Sequence, residues 1–256
     1  MTQKERADLL TSLHVKGEPV ILFNIWDAGS AKAMQEIGAK AIATGSWSVA
    51  AAHGYQDGEK LPLDLTLANL KRIVASVDLP VTLDLEGGYG QSATDVEANV
   101  VKVIEAGAAG INFEDQIVGG TGLYSIQDQC ERIQAIRKAA ERAAIPIFIN
   151  ARTDLFLKAG PVEHNDTLLQ EALRRAFAYA ESGATGFFAP GLRDAQHIKK
   201  LCAHSPLPVN ILMLPNTPSS KQLAESGVAR ISYGPAPYRL AMEALREAGR
   251  KALTMT

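Results

Sequence analysis

Apolar residues along this chain fall into short continuous runs, separated by longer stretches in which they recur every three or four positions. The runs are of two kinds, and the kinds alternate. One opens on proline and a β-branched residue: Pro19-Val20 (PVILFN), Pro80-Val81 (PVTLDL), Pro146-Ile147 (PIFINA) and Pro208-Val209 (PVNILM). The other follows Glu-x-Gly-Ala/Val: Glu36 to Ala39 (EIGAKAIATG), Glu105 to Ala108 (EAGAAGINFE), Glu181 to Ala184 (ESGATGFFAP) and Glu225 to Val228 (ESGVARISYG). Proline is tolerated at a strand start because its missing N–H precedes the ladder. The glycine of the second phrase stands where a helix should end, free to take a left-handed cap. The runs are apolar throughout rather than alternating, as in strands covered on both faces.

Eight strands are therefore predicted, and the periodic stretches between them predict helices. These are Ser30 to Ile37, Leu63 to Val77, Thr94 to Ala106, Ser125 to Ala144, Thr167 to Ser182, Asp194 to His204, Ser219 to Ser226 and Pro235 to Ala252. Strand–helix alternation through eight units predicts an α/β fold, a (β/α)8 TIM barrel, as one domain over residues 1–256. A further helix over about residues 3–14 should cap the barrel bottom. An open doubly wound sheet is disfavoured, because no Gly-x-Gly-x-x-Gly turn follows an early strand.

Composition narrows the function. Hydrophobic residues make up 46% of the chain and the net charge is -2, which gives no basis for binding nucleic acid or an anionic membrane. Cys130 and Cys202 are too few for a disulfide framework, and the polar N-terminus lacks the apolar stretch of a secretory signal. The expectation is a soluble cytoplasmic protein.

In such barrels the chemistry lies at the C-terminal strand ends. The second strand leads to Thr44-Gly45-Ser46-Trp47 and then Asp57; the third ends in Asp84 and Glu86, the fourth in Glu114, the fifth in Arg152. Asp84 and Glu86 are two apart and so share a side of an extended chain. Asp57, Asp84, Glu86 and Glu114 cannot all stay ionised in one cleft uncompensated. A hard divalent cation compensates them: magnesium takes few direct carboxylates, several waters and substrate oxygens. The alternative is that the acids pair with nearby Lys or Arg. Arg152 can fork onto a substrate carboxylate or carbonyl oxygen, or else bridge to Asp154 or Glu114. Thr44-Gly45-Ser46 offers amides and hydroxyls to a carboxylate. Asp27 reads as a helix N-cap and His53 as a loop residue. Cys130 and Cys202 read as core fillers.

Thr82-Leu-Asp-Leu-Glu-Gly-Gly-Tyr-Gly90, Gly110-Ile-Asn-Phe-Glu-Asp-Gln116 and Ile149-Asn-Ala-Arg-Thr-Asp154 resemble the phosphoenolpyruvate mutase/isocitrate lyase superfamily, as do Asn24 to Ala31 and Gly54 to Gly58. The resemblance implies a β/α barrel assembled as a homodimer or homotetramer that exchanges its eighth helix. It implies magnesium, with manganese as the alternative ion, and small 2-oxo or 2-hydroxy carboxylate substrates cleaved through a pyruvate-type enolate. By motif, Asp84 matches the direct metal ligand, and Glu86 and Glu114 match acids that hold the metal's waters. Thr44, Gly45 and Ser46, with Trp47 beside them, match the substrate-carboxylate segment; Asp57 matches the aspartate facing metal and substrate, and Arg152 the substrate-contacting arginine.

The departures matter. The loop Gln116-Ile-Val-Gly-Gly-Thr-Gly-Leu-Tyr-Ser125 has no Cys, Lys or His. It lacks the Lys-x-Cys-Gly-His of isocitrate and methylisocitrate lyases, and equally the Lys, Thr and Asn of the phosphonate enzymes. What remains is a magnesium-dependent lyase or decarboxylase that breaks a C–C bond of a small 2-oxo or 2-hydroxy diacid. The alternatives are a 2-oxo acid binder without turnover, or a P–C bond mutase or hydrolase. A Schiff-base aldolase is disfavoured, since no strand ends in lysine.

Overall fold

The computed structural model describes residues 1–160 and 163–254. Eight parallel strands run β1 (Val20–Leu22), β2 (Ile42–Ala43), β3 (Val81–Asp84), β4 (Gly110–Glu114), β5 (Phe148–Arg152), β6 (Gly186–Phe188), β7 (Val209–Leu212) and β8 (Arg230–Ser232). Their order is β1-β8-β7-β6-β5-β4-β3-β2. A parallel bridge between Ile25 and Thr44 draws the first and last members together, so the sheet is a nearly closed barrel.

Among the described residues eleven helices surround it: α1 (Gln3–Ser12), α2 (Ala28–Glu36), α3 (Ser46–Ala52), α4 (Leu63–Ser76), α5 (Ala93–Glu105), α6 (Ile126–Arg142), α7 (Leu155–Lys158), α8 (Asp166–Glu181), α9 (Ala195–His204), α10 (Ser220–Glu225) and α11 (Ala236–Leu253). The predicted helices are all present, with ends shifted by a residue or two. The short α3 and α7 were not foreseen; each occupies a strand-to-helix loop and is too short to show a period. The Glu-x-Gly phrase acts as expected. Gly38, Gly107, Gly183 and Gly227 have φ of 88°, 96°, 99° and 88°, each directly after its helix. Asp27 caps α2, its carboxylate accepting from the Ser30 amide at 2.7 Å.

The main core fills the space between the sheet and its helices. A smaller core, with Leu10 and Ala7 of α1 against Leu22, Ala43 and Phe148, plugs the bottom of the barrel. The His14 ring stacks on Phe148 there, with centroids 3.9 Å apart. At the other extreme α11 exposes Leu240, Leu245 and Leu253, and only its Pro237 is buried. Among the described residues no helix is long and apolar enough to cross a membrane.

Candidate active site

Asp84 is the last residue of β3 and is held from three sides. Its amide donates to Thr44 Oγ1 at 2.9 Å, the Ser46 amide donates to its Oδ2 at 3.0 Å, and Asn112 Nδ2 approaches Oδ1 at 3.4 Å. The segment after β2 thus serves Asp84 as much as any ligand. Thr44 is buried beneath the site, and the Gly45 amide donates to the Ile25 carbonyl at 3.2 Å. Gly45, Ser46, Trp47, Asp57, Asp84 and Arg152 all line one cavity of about 160 Å³ at the C-terminal mouth. A protein cavity of ~150 Å³ holds benzene, so this one suits a ligand of about six heavy atoms or a little more.

Glu86 and Glu114 are not on that cavity wall. Glu86 adopts φ 53°, in the left-handed region, and is buried. Its Oε2 accepts from the Gly58 and Glu59 amides at 2.8 and 2.9 Å, which fixes the loop that carries Asp57. Glu114 meets Arg152 Nη1 at 2.9 Å. Arg152 also grips Asp154, through Nε at 2.6 Å and Nη2 at 3.0 Å. Arg152 therefore makes the ion pairs with Glu114 and Asp154 that the sequence allowed, and it also lies on the cavity wall.

The electrostatics show which charges are balanced. Burial works to raise the Glu114 carboxyl, and the guanidinium opposes it. Burial disfavours a charged Arg152, but Glu114 and Asp154 outweigh that and hold its pKa above the ordinary arginine value. Among the described residues no Lys or Arg forms an ion pair with Asp57 or Glu86. Burial raises Asp57, and Asp84 adds to the effect, with a bond to Ser46 and the charge of Arg152 acting against it. Burial, then Asp57 and Asp84, push Glu86 up to about 8.

Among the described residues no three His, Cys, Asp or Glu side chains form a ready metal cage. That donor set still fits magnesium, which needs one or two carboxylates and otherwise water and substrate oxygens. Burial first, and the neighbouring acids second, raise Asp57 and Glu86, so holding all of these acids ionised together calls for a compensating positive charge.

Sequence reasoning missed part of the wall. Phe188, Leu212 and Ser232 line the cavity at the ends of β6, β7 and β8. Read from the sequence, the seventh strand ends in Met213 and Asn216 and the eighth in Tyr233 and Gly234, of which Gly234 lines the cavity while Met213 and Tyr233 stand one residue past the side chains that do. A shift of one residue turns a strand side chain to the other face, so counting back by one would have found Leu212 and Ser232. Arg230 was also missed. It is 0% exposed inside the barrel and donates to Asn112 Oδ1 at 3.1 Å and Ser232 Oγ at 3.2 Å. A buried arginine within an apolar-looking run carries no sequence signal of its own.

The loop from Gln116 to Ser125 is folded back on itself. Gln116 bridges Leu123, the Ile117 amide reaches the Gly122 carbonyl at 3.2 Å, and Arg132 stacks over the Tyr124 ring at 4.0 Å. Val118 lies close against Gly87, where a Cβ would stand 2.9 Å from its Cγ2. Glycine after Glu86 is what lets the loop come so near. His53 ends α3, where its ring bonds the Val49 carbonyl. Cys130 is half-buried in α6 and Cys202 buried in α9.

The profile of the phosphoenolpyruvate phosphomutase family matches residues 10–253. The 2-methylisocitrate lyase of Escherichia coli K12 is 30% identical over 88% of this chain and 76% of its own length. Oxaloacetate decarboxylase 2 of Pseudomonas fluorescens Pf0-1 is 27% identical over 82% of this chain and 71% of its own. The crystal structure of a presumptive phosphonomutase from Burkholderia cenocepacia J2315 superposes with a TM-score of 0.95 at 48% identity, covering 98% of this chain and 99% of that one.

Proposed function

Since this chain belongs to the phosphoenolpyruvate phosphomutase family, we propose that it is a magnesium-dependent carbon–carbon lyase for a small 2-oxo or 2-hydroxy acid, working through a pyruvate-type enolate. Decarboxylation of an oxaloacetate-like diacid is the form that needs the fewest groups, and cleavage of a substituted malate is its near relative. The supporting observation is the meeting of Asp84 and Asp57 on one cavity wall, with Glu86 behind them and, among the described residues, one guanidinium on the same wall.

In this reading Asp84 would hold the ion directly, and Glu86 and Glu114 would hold its waters; manganese meets the same demands. The ion supplies positive charge toward the 2-oxo group and the developing enolate. Gly45, Ser46 and Trp47 seat the substrate carboxylate. Arg152 orients the 2-oxo oxygen with the N–H groups that Glu114 and Asp154 leave over. Glu114 keeps that arginine in place, and Asp57 faces the reacting carbons. The loop over residues 116–125 brings no Cys, Lys or His, so the proton that quenches the enolate comes from water. The exposed leucines of α11 support assembly as a homodimer or homotetramer.

Asp84→Ala is expected to abolish magnesium binding in calorimetry and pyruvate release from 2-oxo diacids, with an unchanged circular dichroism spectrum. Magnesium affinity like that of the parent protein would contradict the assignment. The likeness to the presumptive phosphonomutase favours P–C chemistry as a second reading, and phosphate release from phosphonopyruvate distinguishes it.

A further inference from the structure

Barrel topology divides the mouth of the site in two. The acids come from the ends of β2, β3 and β4, which are neighbours in the sheet. The side built by β5, β6 and β7 contributes Leu157, Phe188, Pro190 and Leu212 to the same cavity. The Arg152 guanidinium lies 6.0 Å from the centre of the Phe188 ring, where the two sides meet. Among the described residues Arg152 is the one Lys, Arg or His on the cavity wall, and it already faces Glu114 and Asp154.

A carboxylate placed against Phe188 and Leu212 would lose its water with no cationic side chain on that wall to replace it, since the buried Arg230 lies behind Ser232 and Asn112 and is already turned to them, and such a group is strongly disfavoured. An alkyl group in the same place gains by leaving water. We propose that this wall is a specificity pocket, and that the acid taken by the site bears an alkyl substituent on the carbon next to its 2-oxo or 2-hydroxy group. No second carboxylate is kept at that end, except one that cleavage itself expels. This rests on the lyase reading above and narrows its substrate class.

The test is calorimetry at saturating magnesium with oxalate, pyruvate, 2-oxobutyrate, 2-oxoisovalerate and 2-oxoglutarate. Oxalate mimics the planar enolate and reports whether the site exists as read. Affinity should rise about fourfold for each carbon added from pyruvate to 2-oxobutyrate to 2-oxoisovalerate. The second carboxylate of 2-oxoglutarate should weaken binding about tenfold relative to 2-oxobutyrate. Leu157 is 44% exposed on the short α7, so the fold should tolerate Leu157→Arg, which is expected to reverse that preference. If oxalate binds but the alkyl series is flat or inverted, or Leu157→Arg leaves the order unchanged, the specificity pocket is refuted alone. If oxalate fails to bind, the lyase reading falls and the pocket falls with it.

Discussion

Replacing Arg152 by alanine separates two roles that a sequence cannot. If the guanidinium only touched substrate, the variant would lose turnover and keep its stability. In the structure it stands between Glu114 and Asp154, which are 4% and 2% exposed, at 2.9 and 2.6 Å. At an effective dielectric constant of ~20, each pair attracts by roughly 6 kcal/mol before desolvation is counted. Stranding a buried charge by removing its partner typically costs about 3–5 kcal/mol. For a chain of this size that is a fall in Tm of about 6–20 °C. The sign of the pH dependence follows. Without the arginine, the burial that raises the Glu114 carboxyl is no longer opposed, and its folded pKa stands above its unfolded value. The folded protein then binds more protons, and its stability drops as pH rises through that raised pKa. The defect should therefore be larger at pH 8 than at pH 5. Thermal melts of parent, Arg152→Ala, Glu114→Gln and the double variant at both pH values test this. The double variant should lose less than the sum of the singles. A melting point for Arg152→Ala within about 2 °C of the parent would refute the reasoning.

Two further outcomes probe the scaffold. Burial, and secondarily the charge of Arg230, lower His14 to a pKa of about 3. The unfolded chain therefore binds a proton that the folded one refuses, and stability present above pH 6.5 is lost as pH falls. The loss should be about 2 kcal/mol by pH 5, and His14→Gln should flatten that part of the denaturation profile; an unchanged slope would count against it. A Cβ on Gly110 would stand 2.8 Å from the Phe148 carbonyl oxygen and 2.7 Å from Leu10 Cδ2. Gly110→Ala should accordingly lose about 1–3 kcal/mol in urea denaturation. Parent-like stability would mean that the plug of α1 yields more readily than its packing implies.

The chain by itself determined the barrel. Proline-led and Glu-x-Gly-led runs, helix periods and the four left-handed glycines are local signals, and each acts within a few residues of where it is written. Local signals also placed Asp84, Glu86, Glu114 and Arg152 at successive strand ends, since a strand end needs only its own strand to be known. What the tertiary structure decided was how those side chains use one another. The Ser46 amide turns to Asp84 from 38 residues away, Glu86 ties down the loop of Asp57, and Arg152 divides its charge between Glu114 and Asp154. It also decided that Phe188 and Leu212, rather than Met213 and Tyr233, look into the cavity. Those outcomes depend on strand register and on distances between segments far apart in the chain. A one-residue change in register reverses a side chain's face without altering any local pattern.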